Sequence, residues 1–163
     1  DIQISRKIKR NPIYIICDNV LDTYNVGSIF RLADAVAAEE LILCGETETP
    51  PNTRIKKASI NTWQWVDWSY AQTAVGALQK LKIKYEKLKI IVVEQDEKSI
   101  PLSKLKPEFP VAIVVGNETY GVSKEVLEIA DTIVELPMFG INKSLNVMVS
   151  CGIVLYKIVE FLR

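Results

Sequence analysis

Five short runs of aliphatic and β-branched residues recur along the chain, and few polar residues interrupt them. An unbroken apolar run of about four to eight residues is typical of a strand that is buried on both faces, as the strands of a parallel sheet are. The runs therefore predict five strands of a mostly parallel sheet, at residues 13–17, 41–44, 90–93, 111–115 and 132–136.

Helical patterns fill the segments between these runs. One stripe has the i, i+3, i+4, i+7, i+8 spacing of a helix that packs one apolar face against a sheet: Ile29, Leu32, Ala33, Val36 and Ala37. Further helices are predicted at 70–84, 123–131 and 144–162. Strands that alternate with helices, without an internal repeat or a linker, predict a single domain over residues 1–163, with an open, mostly parallel α/β sheet flanked by helices.

The helix predicted at 144–162 is apolar on nearly every side. Such a helix needs cover on several sides, because a helix on the surface of a domain keeps a polar face in water. A second subunit is the expected cover, and the alternative is a helix enclosed within one chain. A membrane span is not expected, because Asn146, Ser150, Gly152, Lys157 and Glu160 interrupt the apolar stretch.

The composition excludes several classes of chemistry. The 163 residues include no histidine, which removes Ser-His-Asp and Cys-His nucleophile systems and His-ligated zinc. Cys17, Cys44 and Cys151 are far apart and odd in number, so we expect buried thiols rather than a disulfide framework or a metal cluster. Free thiols and the absence of a leader-like segment predict a cytoplasmic protein.

The charge is balanced overall but uneven along the chain. Lys and Arg number 20, as do Asp and Glu, so a uniformly basic nucleic-acid protein is excluded. Residues 6–10 and 80–89 are nevertheless rich in basic side chains. Local patches of this kind attract phosphates even on a neutral protein, and they are also common on solvated surfaces. The sequence leaves open whether either segment contacts RNA.

Three loops carry candidate polar chemistry, and the first is Asn25-Val-Gly-Ser-Ile-Phe-Arg31, at the start of the first predicted helix. Asn25 is a suitable N-cap, because its side chain accepts hydrogen bonds from unpaired amides of the first turn. Arg31 lies opposite the apolar stripe and is therefore free to meet a ligand. The alternative is a solvated arginine paired with Asp34 at i+3.

The second loop, Gly116-Asn-Glu-Thr-Tyr-Gly-Val-Ser123, directly follows the run 111–115 and precedes a helix that Ser123 can cap. Its glycine spacing resembles a P-loop, but Val122 stands where triphosphate binding requires lysine. No GxGxxG fingerprint for dinucleotides occurs in the sequence. A glycine-bordered loop with one carboxylate, Glu118, thus lies where open α/β sheets bind ligands; the alternative is an ordinary strand-to-helix turn.

The third loop, Leu136-Pro-Met-Phe-Gly-Ile-Asn-Lys-Ser-Leu-Asn-Val-Met148, leads into the apolar helix. Gly140 permits a tight turn, Ser144 can cap the helix, and Asn146 is a polar group at the start of the helix. Four apolar residues would line a cleft suited to an adenosine-sized ligand: Leu136, Met138, Ile141 and Leu145.

Together and in this order, the three loops resemble the motifs of the SpoU/TrmH family of SPOUT methyltransferases. These motifs are N-x-G-x-I-x-R, G-x-E-x-x-G and φ-P-M-x-G-x-x-x-S-L-N-V, in which φ is aliphatic, and each is complete here. The resemblance runs from about Asn11 to the C-terminus, so residues 1–10 are expected to be a basic N-terminal segment and no separate RNA-binding domain is expected. One departure is Ala37-Ala38-Glu39, where relatives commonly have glycine in a turn.

The resemblance implies methyl transfer from S-adenosylmethionine to a ribose 2′-hydroxyl in tRNA or rRNA, with no metal. It also implies a homodimer formed through the C-terminal helix and a C-terminal trefoil knot, whose loops 116–123 and 136–144 form the cofactor pocket. The knot rests on the resemblance alone, since threaded chains are essentially absent from protein folds in general.

The same resemblance implies two sets of site residues. The cofactor-binding set is Gly116, Leu136, Met138, Ile141 and Leu145, and the catalytic set is Asn25, Arg31, Glu118, Ser144 and Asn146. Arginine stays protonated, so Arg31 is expected to bind the phosphate beside the target ribose rather than to act as a base. Glu118 either accepts the proton or orders its loop.

Several alternatives remain open at this point. Trp63, Trp65 and Trp68 either stack on RNA bases or pack in the core or a dimer interface. A catalytically silent RNA-binding or ribosome-assembly module on the same fold is the main alternative to an enzyme, and a base-methylating enzyme is a third possibility. The sequence does not name the RNA or the modified nucleotide.

Overall fold

A computed structural model describes residues 2–163, and seven strands form one sheet in it. The strands are β1 Asn11–Asp18, β2 Ala38–Cys44, β3 Trp68–Ala71, β4 Lys89–Val93, β5 Ile100–Pro101, β6 Val111–Gly116 and β7 Thr132–Glu135. Their order across the sheet is β3-β2-β1-β6-β4-β7-β5, and every neighbouring pair is parallel. The predicted sheet is confirmed, and the five predicted strands are β1, β2, β4, β6 and β7.

The sequence does not predict β3 and β5, which form the two edges of the sheet. Their residues are half-buried or exposed, so neither strand requires the unbroken apolar run that marks a strand covered on both faces. The start of β3 lies opposite Leu41 of β2, and its end lies opposite Cys44. The segment 70–84 therefore begins as an edge strand and not as a helix.

Within the part of the chain that the structure describes, six α-helices accompany the sheet. They are α1 Ile2–Ser5, α2 Thr23–Ala35, α3 Thr53–Ser59, α4 Ala74–Lys84, α5 Lys124–Ile129 and α6 Val147–Val159. Single 3-10 turns follow α3 and β5, at Thr62–Gln64 and Leu102–Lys104. The four predicted helices correspond to α2, α4, α5 and α6, whereas α1 and α3 are too short to show a periodic pattern. The helix predicted at 144–162 is shorter at both ends than expected.

Two predicted helix caps are wrong, and for the same reason. The helix predicted to start at Asn25 starts one turn earlier, because Asp22 accepts a hydrogen bond from the Tyr24 amide at 2.8 Å. In α6 the cap is Asn146 and not Ser144, since Asn146 Oδ1 accepts from Met148 N at 2.9 Å. In each case the residue that caps also makes a long-range hydrogen bond, since Asp22 N donates to Glu118 Oε1 and Asn146 Nδ2 donates to Asn25 Oδ1. Ser123 does occupy the N-cap position of α5, but its side chain makes no capping hydrogen bond.

The helices cover the sheet on two faces with separate cores. One core, beneath α2, α3 and α6, takes Ile13, Ile15 and Cys17 from β1, and the other, beneath α4 and α5, takes Tyr14 and Ile16. Alternate residues of one strand thus enter opposite cores, as the two-residue period of a strand requires. Because both faces of β1 are covered, its sequence is a nearly continuous apolar run.

All three cysteines are buried. Burial raises the pKa of Cys44 and of Cys151 to about 12, so both thiols stay protonated at neutral pH and act as small apolar side chains. Within residues 2–163, no helix is long and apolar enough to cross a membrane.

Candidate active site

A cavity of about 400 Å³ opens at the carboxyl edge of the sheet, where β6, β4 and β7 lie side by side. Open α/β sheets bind ligands at this edge, because loops diverge there and leave a crevice between them. Its wall is formed by the ends of the three strands, by the loops that follow them and by the start of α6: Val93, Glu94, Gln95, Val115, Gly116, Asn117, Glu118, Thr119, Gly121, Val134, Glu135, Leu136, Met138, Ser144, Leu145, Asn146, Val147 and Ser150.

The glycine loop 116–121 is closed by its own backbone. Asn117 and Gly121 exchange two backbone hydrogen bonds, of 3.0 and 2.9 Å. A Cβ atom on Gly116 would lie 2.4 Å from the carbonyl carbon of Gly121 and 2.5 Å from the amide nitrogen of Val122. No side chain fits there without moving backbone, so the glycine is required by the close approach of the two ends of the loop.

Glu94, which belongs to none of the three motif loops, clamps the far end of this loop. Its Oε2 accepts a hydrogen bond from the Val122 amide at 2.9 Å, and it occupies the space that a Cβ on Gly121 would take, at a φ of +73°. Glu94 directly follows the predicted strand 90–93, at the carboxyl end where ligand sites form, and that position is the sequence signal that could have identified it.

Glu118 holds the start of α2 to the glycine loop. Its carboxylate accepts hydrogen bonds from Leu21 N at 3.1 Å, from Asp22 N at 3.0 Å and from Asn25 Nδ2 at 3.2 Å. Partial burial raises the pKa of Glu118, but hydrogen bonds from the backbone and from Asn25 to the charged form outweigh it, so its pKa lies below the ordinary value. A carboxylate that is held in this way is a poor proton acceptor, and the geometry favours the loop-ordering role.

Asn25 connects Glu118 to the start of α6. It is buried, and its Oδ1 accepts a hydrogen bond from Asn146 Nδ2 at 3.1 Å. Asn146 in turn caps α6 with its own Oδ1. One residue from each of the three motifs thus joins a hydrogen-bonded chain beside the cavity, through bonds of Asn25 that span 93 and 121 positions of the sequence.

The predicted site residues do not all lie at the cavity. Seven of them line it: Gly116, Glu118, Leu136, Met138, Ser144, Leu145 and Asn146. Asn25 lies behind the wall and contacts it through Glu118 and Asn146. Ile141 is 96% exposed and is not part of the wall. Arg31 is exposed on α2 and is also outside the wall. It can therefore take part in the reaction only by contacting a substrate that extends beyond the opening of the cavity.

The alternative for Arg31 is a solvated side chain paired with Asp34; Arg31 is exposed, but the pairing is wrong. Asp34 Oδ1 instead accepts a hydrogen bond from Trp65 Nε1 at 2.8 Å, and the one ion pair within residues 2–163 joins Lys157 and Glu160. The packing alternative for the tryptophans is confirmed, since Trp63, Trp65 and Trp68 are half-buried against the core beneath α2.

The lowered pKa of Glu118 predicts that its contribution to the stability of the fold depends on pH. A carboxyl whose pKa is lower in the folded protein stabilises the fold above its unfolded-state pKa of about 4.3, and this contribution is lost as the pH falls through the folded-state pKa. Because solvent screens this exposed carboxylate, we expect Glu118→Gln to lower the free energy of unfolding by less than about 1 kcal/mol at pH 7 and by less still at pH 3, as measured by urea unfolding. Glu128→Gln, at an exposed position of α5, is the control. A deficit for Glu118→Gln that is as large at pH 3 as at pH 7 would contradict the assignment.

Comparisons with known proteins agree with the motifs. The model of the SpoU rRNA Methylase family matches residues 12–156. A tRNA (guanosine(18)-2′-O)-methyltransferase of Aquifex aeolicus is 32% identical over 91% of this chain and 69% of its own length. A 23S rRNA (guanosine-2′-O-)-methyltransferase RlmB of Ralstonia nicotianae is 28% identical over 94% of this chain and 60% of its own length.

Solved structures show the same fold. The A. aeolicus TrmH/SpoU tRNA modifying enzyme superimposes with a TM-score of 0.83 at 30% identity, over 96% of this chain and 79% of that one. An AdoMet-bound rRNA methyltransferase from Sinorhizobium meliloti superimposes with a TM-score of 0.82 at 25% identity, over 98% of this chain and 60% of that one. The chain therefore spans roughly two thirds of the length of its curated relatives.

Proposed function

Because the chain belongs to the SpoU rRNA methylase family, we propose that it transfers the methyl group of S-adenosylmethionine to a ribose 2′-hydroxyl of tRNA or rRNA. The new bond joins the methyl carbon to the 2′-oxygen, the carbon–sulfur bond breaks, the hydroxyl proton is released and S-adenosylhomocysteine is the other product. The observation that carries the proposal is the cavity at the carboxyl edge, whose wall combines the glycine loop with the chain of hydrogen bonds from Glu118 to Asn146.

The residues of the cavity fit S-adenosylmethionine. Its volume of about 400 Å³ is in the range of small-molecule sites. Leu136, Met138 and Leu145 offer apolar surface to the adenine ring, and the carboxylates of Glu94 and Glu135 offer negative charge to the cationic methionine part. When bound, this cofactor supplies an electrophilic methyl group on a sulfonium, and no metal is needed.

The residues of the chain bind and orient the reactants. Arg31 binds the phosphate beside the target ribose and positions the 2′-hydroxyl, because a guanidinium can hold a phosphate with two parallel hydrogen bonds. Glu118 fixes the start of α2 relative to the glycine loop, and Asn25 and Asn146 extend this support to the wall beside Ser144. Orientation is a large part of catalysis in such an in-line transfer.

The test measures methyl transfer from radiolabelled S-adenosylmethionine into tRNA and rRNA from cells that lack the protein, followed by digestion to nucleosides. Label in a 2′-O-methyl nucleoside supports the proposal and shows which RNA is the substrate. Label on a base keeps the cofactor and overturns the ribose assignment. If no RNA is labelled and a titration shows no cofactor binding, the catalytically silent module is the better description.

A homodimer formed through α6 is part of the proposal, as is the cytoplasm as its location. Val149, Ile153 and Tyr156 lie on one side of α6 at i, i+4, i+7 spacing and are 39%, 40% and 53% exposed. A stripe of this kind is typical of a helix–helix contact. The opposite side of α6, with Cys151, Val154, Leu155 and Ile158, is buried within the chain. The trefoil knot stays a prediction from the family.

We expect Ile153→Asp to convert the dimer to a monomer, because it places a charge at the centre of the apolar stripe. Sedimentation velocity measures the change. Ile83→Asp is the matched control, since Ile83 is 88% exposed on α4, on the other face of the sheet, and the dimer should persist. A wild-type protein that sediments as a monomer would show that α6 is not an interface.

A further inference from the structure

The helix α3 and the turn after it carry positive charge without neighbouring acids in the sequence. Between Glu48 and Asp67 the chain has three basic residues and no acidic one. Arg54, Lys56 and Lys57 are all exposed, and none takes part in the one ion pair found within residues 2–163. Three unpaired cations on a helix of seven residues form a local positive patch on a chain whose net charge is zero.

The cations of α3 lie on two sides of the helix. Ile55 and Ser59 face the core, and Ala58 faces α2. At 100° per residue, Arg54 is about 40° from Ala58 and Lys57 lies further round toward solvent. Lys56 projects the other way, and its Nζ lies 5.4 Å from the centre of the Trp63 ring. Lys57 is therefore on the solvent-facing surface, about 100° from Ala58, and Arg54 is the one cation on the α2 side of α3.

This side of α3 is next to the side of α2 that bears Arg31. A Cβ on Gly27 would lie 2.5 Å from Ala58 Cβ, so the two helices touch there. Arg31 is one turn further along α2 on nearly the same side, about 40° away. Asp34, a further turn along, bonds to Trp65 after α3. Arg31 thus lies between two α2 positions that contact the α3 segment.

Both helices also start at the edge of the sheet that holds the cavity. The helix α2 follows the carboxyl end of β1, and the loop between β2 and α3 is attached there, because Thr47 Oγ1 accepts a hydrogen bond from Val20 N at 3.0 Å. Arg54, in the first turn of α3, therefore lies beside the start of α2, which Glu118 of the cavity wall holds through Asn25, and Arg31 is further along α2.

The basic segment 80–89 is placed quite differently. It forms the end of α4 and the approach to β4, on the other face of the sheet. Lys89 begins β4, whereas the opposite end of β4 lines the cavity. At about 3.3 Å per residue, the strand separates the two ends by roughly 15 Å. Residues 6–10 likewise precede the amino end of β1, and Arg10 donates a hydrogen bond to the carbonyl of Trp65.

We propose that Arg54 and Lys57 bind backbone phosphates of the RNA substrate, next to the nucleotide whose phosphate Arg31 holds. This inference rests on the proposed function. Phosphate contacts fix the position of a nucleic acid on a protein without reading its sequence. The surface formed by Arg31, Arg54 and Lys57 then guides the strand along α2 and α3 to the cavity mouth.

The test compares two pairs of neutralising substitutions. Arg54→Gln/Lys57→Gln removes the two α3 cations, and Lys84→Gln/Lys87→Gln removes two exposed cations from the segment 80–89. Binding of radiolabelled total RNA is measured over a range of salt concentrations, and S-adenosylmethionine binding is measured by calorimetry. We expect the slope of log K against log salt to fall by about 1.4 to 1.8 for the α3 pair, from 0.7 to 0.9 per phosphate contact. The control pair should leave the slope unchanged, and neither pair should change cofactor affinity.

Each other outcome overturns a different statement. If the control pair changes the slope and the α3 pair does not, RNA binds the other face of the sheet. If the α3 pair weakens dimerisation in sedimentation and leaves RNA binding intact, the surface is an interface between copies of the chain. If the wild-type protein methylates RNA and the α3 pair binds RNA with the wild-type salt dependence, the phosphate-binding surface is wrong and the proposed function stands. A wild-type protein that binds neither RNA nor cofactor contradicts the proposed function itself.

Discussion

The Gly116→Ala variant is expected to lose most of its affinity for S-adenosylmethionine. The added Cβ would lie 2.4 to 2.5 Å from backbone atoms of Gly121 and Val122, so the glycine loop must open and its two hydrogen bonds between Asn117 and Gly121 must lengthen or break. Overpacking costs about 1–3 kcal/mol. A cost of about 3 kcal/mol in the loop that binds the cofactor weakens cofactor binding roughly 100-fold. Calorimetric titration with S-adenosylmethionine measures this loss of affinity.

Gly140→Ala is the matched control for this prediction. Gly140 belongs to the third motif, but a Cβ there meets no heavy atom within 4 Å. The same one-carbon addition is therefore expected to leave cofactor affinity and thermal stability close to wild type. Equal losses in the two variants would show that the clash at Gly116 is not the cause, and that any change to a loop glycine disturbs the pocket.

The Arg31→Ala variant is expected to keep its affinity for the cofactor and to lose methyl transfer. Arg31 lies outside the wall of the cavity and makes no ion pair in the part of the chain that the structure describes, so its loss leaves the pocket intact. Removing a donor that positions the reacting group and stabilises developing negative charge lowers kcat by roughly 10²- to 10³-fold. Single-turnover transfer, measured beside a cofactor titration, separates the two effects.

Arg31→Lys distinguishes a specific phosphate contact from a simple charge. Lysine keeps the charge but lacks the planar fork, so it should restore RNA affinity at low salt and only a small part of the transfer rate. Full recovery of rate with lysine would reduce the role of Arg31 to electrostatic attraction. A cofactor affinity that falls as far as the rate in Arg31→Ala would show that Arg31 supports the pocket instead.

The contacts of Glu118, and not its motif, distinguish between the two roles that are open to it. The motif permits either a base or a loop-ordering residue. Three donors on the carboxylate and a lowered pKa favour the second role. Two of these donors are backbone amides 96 and 97 positions away in the sequence, and no local pattern around Glu118 identifies them.

The sequence by itself determines the central sheet, its helical cover and the identity of the three loops. A strand buried on both faces must be apolar throughout, so β1, β2, β4, β6 and β7 each carry their own signal. The glycine and polar residues of the loops are likewise local features, and their order along the chain is enough to place the chain near its family.

Only the tertiary structure decides the features that depend on partners far along the chain. The edge strands β3 and β5 are half-buried and need no distinctive pattern, and α3 is too short to have one. The capping roles of Asp22 and Asn146, the clamp by Glu94 and the packing of Ala58 against Gly27 each depend on a contact with a neighbour or on the position of a loop. Burial determines which residue types a segment can have, and so it is visible in the sequence, whereas a hydrogen bond or a close contact also requires a second residue that only folding brings near.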